Sequence, residues 1–243
     1  MQGQSKRKRK GKDAQNNNNV KKEIQKAVKM EIEKLKDLKL TDNLFSGTAI
    51  STLTTNANMH LCNSVQMGNG SYQRSDKDIS MESLRITGSI SYTYGHDLVT
   101  GDIHSNSARI SIVQDRDPSG VFPTWSNIFA SLDNAGTFVT DYRSHLSFEN
   151  TKRFKVLRQT FIDLNPKFYY KAGLTNDKCQ LSKEFDIFIP LKGMHCGWNV
   201  QATTSNIADY DKNPIYFIIR MAQNPSHVSL AYAANCRLRY RDF

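Results

Sequence analysis

Six cations stand within seven positions near the start of the chain: Lys6, Arg7, Lys8, Arg9, Lys10 and Lys12. Such a run does electrostatic work. Each ammonium or guanidinium placed near a phosphate releases condensed counterions, so binding is blind to base sequence and falls with salt. The same run also reads as a nuclear import signal or a solubility tail, and these readings are compatible with genome binding. Lys21, Lys22, Lys26 and Lys29 extend the charge downstream. Residues 1–39 hold 13 Lys and Arg against 5 Asp and Glu, a net of +8 out of +10, which leaves +2 for residues 40–243. A basic segment on a near-neutral body points to a polyanion partner.

Groups able to make or break covalent bonds are sparser. His60 lies near Cys62, and His195 adjoins Cys196. Zinc sites need two matched ligand pairs at short spacing, and neither pair has that. A Cys-His nucleophile also needs a third, orienting group. Cys62, Cys179, Cys196 and Cys236 are widely spaced with no C-x-x-C, so they read as structural, and Cys236 falls on an apolar strand face. Asp102, Asp115 and Asp117, or Asp209 and Asp211, could hold a structural calcium at a subunit contact, but they read first as turn residues. No phosphate-binding loop, dinucleotide fingerprint, H-E-x-x-H or G-x-S-x-G is present. No catalytic residue is assigned and no cofactor is expected.

The elements that must position these residues follow from periodicity. Residues 1–19 have no periodic apolar face and read as a disordered arm, because they cannot bury enough surface to offset chain entropy. Val20, Ile24, Val28, Ile32, Leu35 and Leu38 recur at steps of four and three, which predicts an amphipathic helix over 20–40. Its stripe needs cover, either from its own domain or from neighbouring copies.

From about residue 46 the period becomes two. Residues 46–55 read as a weak strand. Strands are predicted through Leu84–Tyr94, Ala108–Ile112, Phe185–Leu191, Ile215–Met221 and Val228–Tyr240. Arg153–Asp163 reads as a strand whose face switches near Val156-Leu157, which signals a bulge. Trp125, Ile128, Phe129 and Leu132 fit a short helix capped by Thr124 or Ser126. Turn chemistry at Asp117-Pro118-Ser119-Gly120, Asn213-Pro214 and elsewhere separates the strands. The longest apolar run is Ile215–Ile219, far short of a membrane span. About eight strands over 41–243 with few helices predict an all-β domain, and eight strands in two packed antiparallel sheets is the jelly-roll number.

The stretch from Arg109 to Phe129 couples an apolar strand to Asp-x-x-Pro-x-Gly and then to Pro-Thr-Trp. It resembles capsid proteins of small circular single-stranded DNA viruses that encode a replication protein. The ending Arg237-Leu-Arg-Tyr-Arg-Asp-Phe243 resembles their last strand. A basic arm before one jelly roll is similar also to the satellite tobacco necrosis virus coat protein. The resemblance implies an eight-stranded jelly roll and self-assembly into a small icosahedral shell of sixty copies. It also implies packaging of single-stranded nucleic acid, DNA rather than RNA, by Lys6 to Lys12 with Lys21, Lys22, Lys26 and Lys29, and residence in the virion and, during assembly, the host nucleus. Arg237, Arg239 and Arg241 could line the shell interior, but they read first as a solvated or ion-paired strand face. The competing reading is a nucleic-acid- or carbohydrate-binding β-sandwich with a basic tail, with Tyr169, Tyr170 and Trp198 as its aromatic platform.

Overall fold

A computed structural model describes residues 21–31, 38–48, 58–94, 107–133, 135–139, 142–164, 179–199, 205–221 and 228–242. The chain divides into two compact units, Met1–Leu38 and Lys39–Phe243.

In the first unit, residues 21–31 form helix α1, exposed throughout. The helix predicted over 20–40 is therefore corrected at its far end, because strand β1 (Leu38–Thr48) occupies residues 38–40. The step of three from Leu35 to Leu38 carried the helical pattern into the strand. Along β1 it is Lys39, Thr41, Asn43 and Phe45 that turn inward, while Leu40 and Leu44 stand exposed at 43% and 82%. Lys39 and Asn43 tolerate that position because each finds partners: Lys39 Nζ donates to Gln73 O and Asp242, and Asn43 Nδ2 donates to Cys62 O.

The second unit continues with β2 (Met59–Leu61), β3 (Asp78–Tyr94), β4 (Ser107–Asp115) and the one-turn helix α2 (Trp125–Ile128). Then come β5 (Ser131–Leu132), β6 (Phe138–Val139), β7 (Phe154–Asp163), β8 (Cys179–Trp198), β9 (Tyr210–Lys212), β10 (Ile215–Met221) and β11 (Val228–Asp242). One sheet has the order β1-β11-β3-β8-β9 and the other β2-β10-β4-β7. Setting aside the three-residue β9, the remaining eight strands run 1-8-3-6 and 2-7-4-5 in chain order. That interleaving of antiparallel strands is a jelly roll, as expected. Of these eight, β2 has no counterpart among the expected strands, and the weak strand expected over 46–55 starts instead at Leu38, with 49–55 outside the described residues; β9 and the β5–β6 hairpin are further additions.

The bulge predicted near Val156-Leu157 is present. Ile112 faces Arg158 and Val113 faces Val156, so Leu157 is left without a cross-strand partner. A second irregularity kinks β8 against β3, where Met81 faces Met194 and Ser83 faces Pro190. Lys192 and Gly193 take positive φ there, at 54° and 77°. Gly88 matters for a different reason. A Cβ on it would stand 2.7 Å from the Phe185 ring and against the backbone of Ala233, so only glycine lets β3 and β11 close beneath that ring.

The space between the sheets is filled from alternate positions, among them Leu84, Ile86, Ile110, Ile112, Ile187, Phe217, Ile219, Cys236 and Leu238. A second apolar cluster lies on the other side of the second sheet: Met59, Val113, Trp125, Ile128, Phe129, Phe154, Tyr216 and Ile218. The residues joining β4 to β7 carry α2 and fold over that face as a cover. This explains the unbroken burial of β10 and the near-unbroken burial of β4. The helix predicted over Trp125–Leu132 is only one turn, since Ser131–Leu132 is already strand. Thr124 is its N-cap and exchanges hydrogen bonds with Asn127.

Candidate nucleic-acid and assembly surfaces

The cations sort into three settings. Lys6, Arg7, Lys8, Arg9, Lys10 and Lys12 lie outside the described residues. Lys21, Lys22, Lys26 and Lys29 all stand exposed on α1. Lys22, Lys26 and Lys29 are spaced i, i+4, i+7 and form one row, opposite the exposed Ile24 and Val28. Like charges at that spacing repel one another, so an anion laid along the row would relieve them.

The second setting is the outward face of the first sheet. Arg237 forms a two-pronged pair with Asp42, both bonds at 2.8 Å, and Arg85 forms another with Asp186 at 3.0 and 2.6 Å. Arg241 Nε donates to Glu82 at 2.9 Å. The Arg237 guanidinium bonded to Asp42 holds that carboxyl below its usual range, and Arg85 does the same to Asp186. Arg239 is exposed and has no ion pair among the described residues. The ion-paired reading of Arg237 and Arg241 holds. Further along the face, Thr87, Ser89, Ala233 and Asn235 floor a shallow trough between Leu44 and Asp186.

The third setting is one that sequence reasoning missed. Arg109 and Arg220 face each other across β4 and β10, 1% and 3% exposed beneath the cover. Arg109 donates to Tyr142 O and Ser144 O, both at 2.7 Å, to Ser111 Oγ and to Gln159 Oε1. Its guanidinium lies 4.0 Å from the Phe129 ring centre and 5.0 Å from that of Trp125. Arg220 also approaches Trp125 to 5.0 Å, and burial pulls its guanidinium down to about 10. These arginines pin the cover to the sheet and are closed to a polyanion. Two signals could have revealed this. The run Ile215–Ile219 has no polar alternation, as a strand buried on both faces requires, and Trp125, Ile128 and Phe129 needed a surface to lie on.

The candidates for bond chemistry are mostly taken up by structure. Asp115 is fully buried, held in two hydrogen bonds from Arg153 and one from Tyr216 Oη. Asp117 N donates to the same carboxylate. Asp209 caps its own turn at Asn206 N, and Asp211 lies 3.6 Å from Lys212. Asp102, Cys179's side chain, Tyr169 and Tyr170 lie outside the described residues. Cys62, Cys196 and Cys236 are buried free thiols, and burial pushes Cys62 and Cys196 up, away from the thiolate. Trp198 is a core residue packed on Tyr210 and Arg74 and offers no platform. No cluster of three or more metal-ligating side chains exists among the described residues. No helix among them is long and apolar enough to cross a membrane.

No curated protein matches the chain. Among solved structures, it is similar to the chain of the T13 infectious bursal disease virus particle, at 8% identity and a TM-score of 0.23, covering 84% of this chain and 35% of that one. The VP2 subviral particle of the same virus gives 9% and 0.22, with 84% and 37% covered. The chain thus spans just over a third of the length of these relatives. The BFDV capsid protein, solved as a 60-mer, gives 8% and 0.19, with 85% and 93% covered. Scores this low carry no argument, and the fold rests on the strand order above. The sequence model of a virus coat family matches residues 2–242, nearly the whole chain. The resemblance to viral coat proteins drawn from Arg109–Phe129 therefore stands, and the chain belongs to the geminivirus coat protein/nuclear export factor BR1 family.

Proposed function

We propose that this coat protein closes into an icosahedral shell of sixty copies and packages a single-stranded genome, DNA rather than RNA, through its basic N-terminal segment. The observation that carries the reading is the division of charge: +8 in residues 1–39 against +2 in the rest. The body supports it from the other side. Its open sheet face pairs Arg237, Arg85 and Arg241 with Asp42, Asp186 and Glu82, and its covered face buries Arg109 and Arg220. This reading assigns phosphate binding to Lys6, Arg7, Lys8, Arg9, Lys10 and Lys12, with Lys21 and the Lys22, Lys26 and Lys29 row.

Sixty such segments would bring about 480 positive charges. The coding sequence for this chain alone takes about 729 nucleotides, three for each of its 243 residues. Neutralisation is then partial, and mobile cations supply the remainder. The same basic run serves as the import signal that brings the protein to the nucleus for assembly. The role is structural, with no reaction catalysed.

Negative-stain microscopy of the full chain expressed alone, with absorbance at 260 and 280 nm on the same fraction, tests both halves. Closed particles with nucleic-acid absorbance are the expected result. Deleting residues 1–19 should leave particles and remove the absorbance. A monomer at every salt and pH overturns the shell, and unchanged cargo after the deletion overturns the role of the arm. A fluorescent protein bearing residues 1–19 should enter nuclei, and replacing Lys6 to Lys10 with alanine should stop it.

A further inference from the structure

His60 takes no part in the surfaces described above. It stands on β2, an edge strand of the second sheet, with only three residues paired to β10. Its ring points into the corner of the sandwich and stacks on Phe45 of β1, the edge strand of the first sheet, at 4.9 Å and 11°. Tyr232 of β11 meets the ring edge-on at 5.8 Å, and Phe217 of β10 lies at 6.3 Å. His60 Nε2 is 2.7 Å from Tyr232 Oη. Strands β1 and β2 belong to different sheets, so side chains join them here: this ring cluster and the bond from Asn43 to Cys62 O.

We propose that His60 is a proton-operated latch on this corner: the neutral imidazole holds β2 against β1 and β11, and protonation releases it. The charge inventory of the corner carries the inference. Among the described residues no carboxylate and no cation faces the ring. On β1, Asp42 points to the opposite face, where Arg237 holds it. On β11 the titratable neighbours are Tyr232 and, deeper, the Cys236 thiol, and β10 presents Phe217. On β2's own side the neighbour is Cys62, whose thiol burial keeps protonated. An imidazolium formed here would lose part of its hydration and gain only a phenol oxygen and an aromatic face. Burial accordingly holds the imidazole below its ordinary 6.5.

The sign follows from linkage. The unfolded or opened chain binds the proton more readily, so the latch is fully closed above about pH 6.5 and weakens as pH falls toward the lower value of the closed form. A single proton changes the opening equilibrium by at most about tenfold per pH unit.

Hydrogen exchange on the full chain at pH 7.5, 6 and 5, corrected for the intrinsic pH dependence of exchange, tests the latch. Amides of Met59–Leu61 and of their partners on β10 should exchange severalfold faster at pH 5 than at pH 7.5, relative to amides of the β3–β8 pairing. In His60→Gln, neutral at every pH, that difference should disappear. Equal acceleration in His60→Gln overturns the proposal. So does a wild-type chain whose β2 exchange is flat with pH, a result that needs no variant to fold.

Discussion

The two outward sheet faces are built from the same kind of sequence and end in opposite states. On β11, Arg237 and Arg239 alternate with apolar core residues, and on β4 and β10 Arg109 and Arg220 sit opposite each other in register. The first pair of positions lies open to water with Asp42, Asp186 and Glu82 close by. The second pair is roofed by residues 116–153, and its guanidiniums rest on carbonyl oxygens and aromatic rings. Alternation tells which way a side chain points relative to its neighbours. Whether that direction meets water is decided elsewhere in the chain, by whether another segment has an apolar stripe to lay there.

If the contrast is sound, removing a residue under the cover should cost far more than removing one on the open face. Trp125→Ala takes out the ring that both Arg109 and Arg220 approach, and large-to-small changes of this kind cost about 3–5 kcal/mol. In a body of this size that is a fall of about 6–20 °C in Tm, read by scanning calorimetry. Asp115→Asn removes the charge of a fully buried carboxylate that ties the start of the cover to the part-exposed Arg153, and about 2 kcal/mol is expected, with faster proteolysis of the cover. Arg237→Ala and Asp42→Ala on the open face should each leave Tm almost unchanged, and less changed again in high salt. A large loss there would break the comparison. The smallest effect is one of pH. Arg237 depresses Asp42, so that pair's contribution is complete above about pH 4 and fades as pH falls through the lowered folded value. Urea unfolding of wild type against Asp42→Asn between pH 5 and 3 should show the difference narrowing.

Much of this architecture could be read from the residues. The strands of β3, β8 and β11 announced themselves by clean alternation over long stretches, and the bulge at Leu157 by a switch of face. What stayed hidden depended on contacts distant in sequence. Leu40 and Leu44 look like core residues and point outward, because Lys39 and Asn43 have partners at Asp242, Gln73 and Cys62 that only the fold brings near. Arg109 looks like a solvent-facing alternate and is buried, because its acceptors come from residues more than thirty positions away. The basic segment was legible for a simpler reason: unbalanced charge needs no tertiary context to be seen.

The place of β11 has a consequence for how the chain folds. Strand β11, the last of this body in chain order, is an interior strand of the first sheet, lying between β1 and β3. Its pairing with β3 joins residues about 150 positions apart, from Asp242 against Ile79 to Val228 against Tyr94. Until those fifteen residues emerge, β1 has no neighbour in its sheet and β3 exposes an unpaired edge. Folding of the body is therefore held back until β11 has been made. A nascent chain stalled before Val228 would present an aggregation-prone strand edge, whereas one stalled after Asp242 would not.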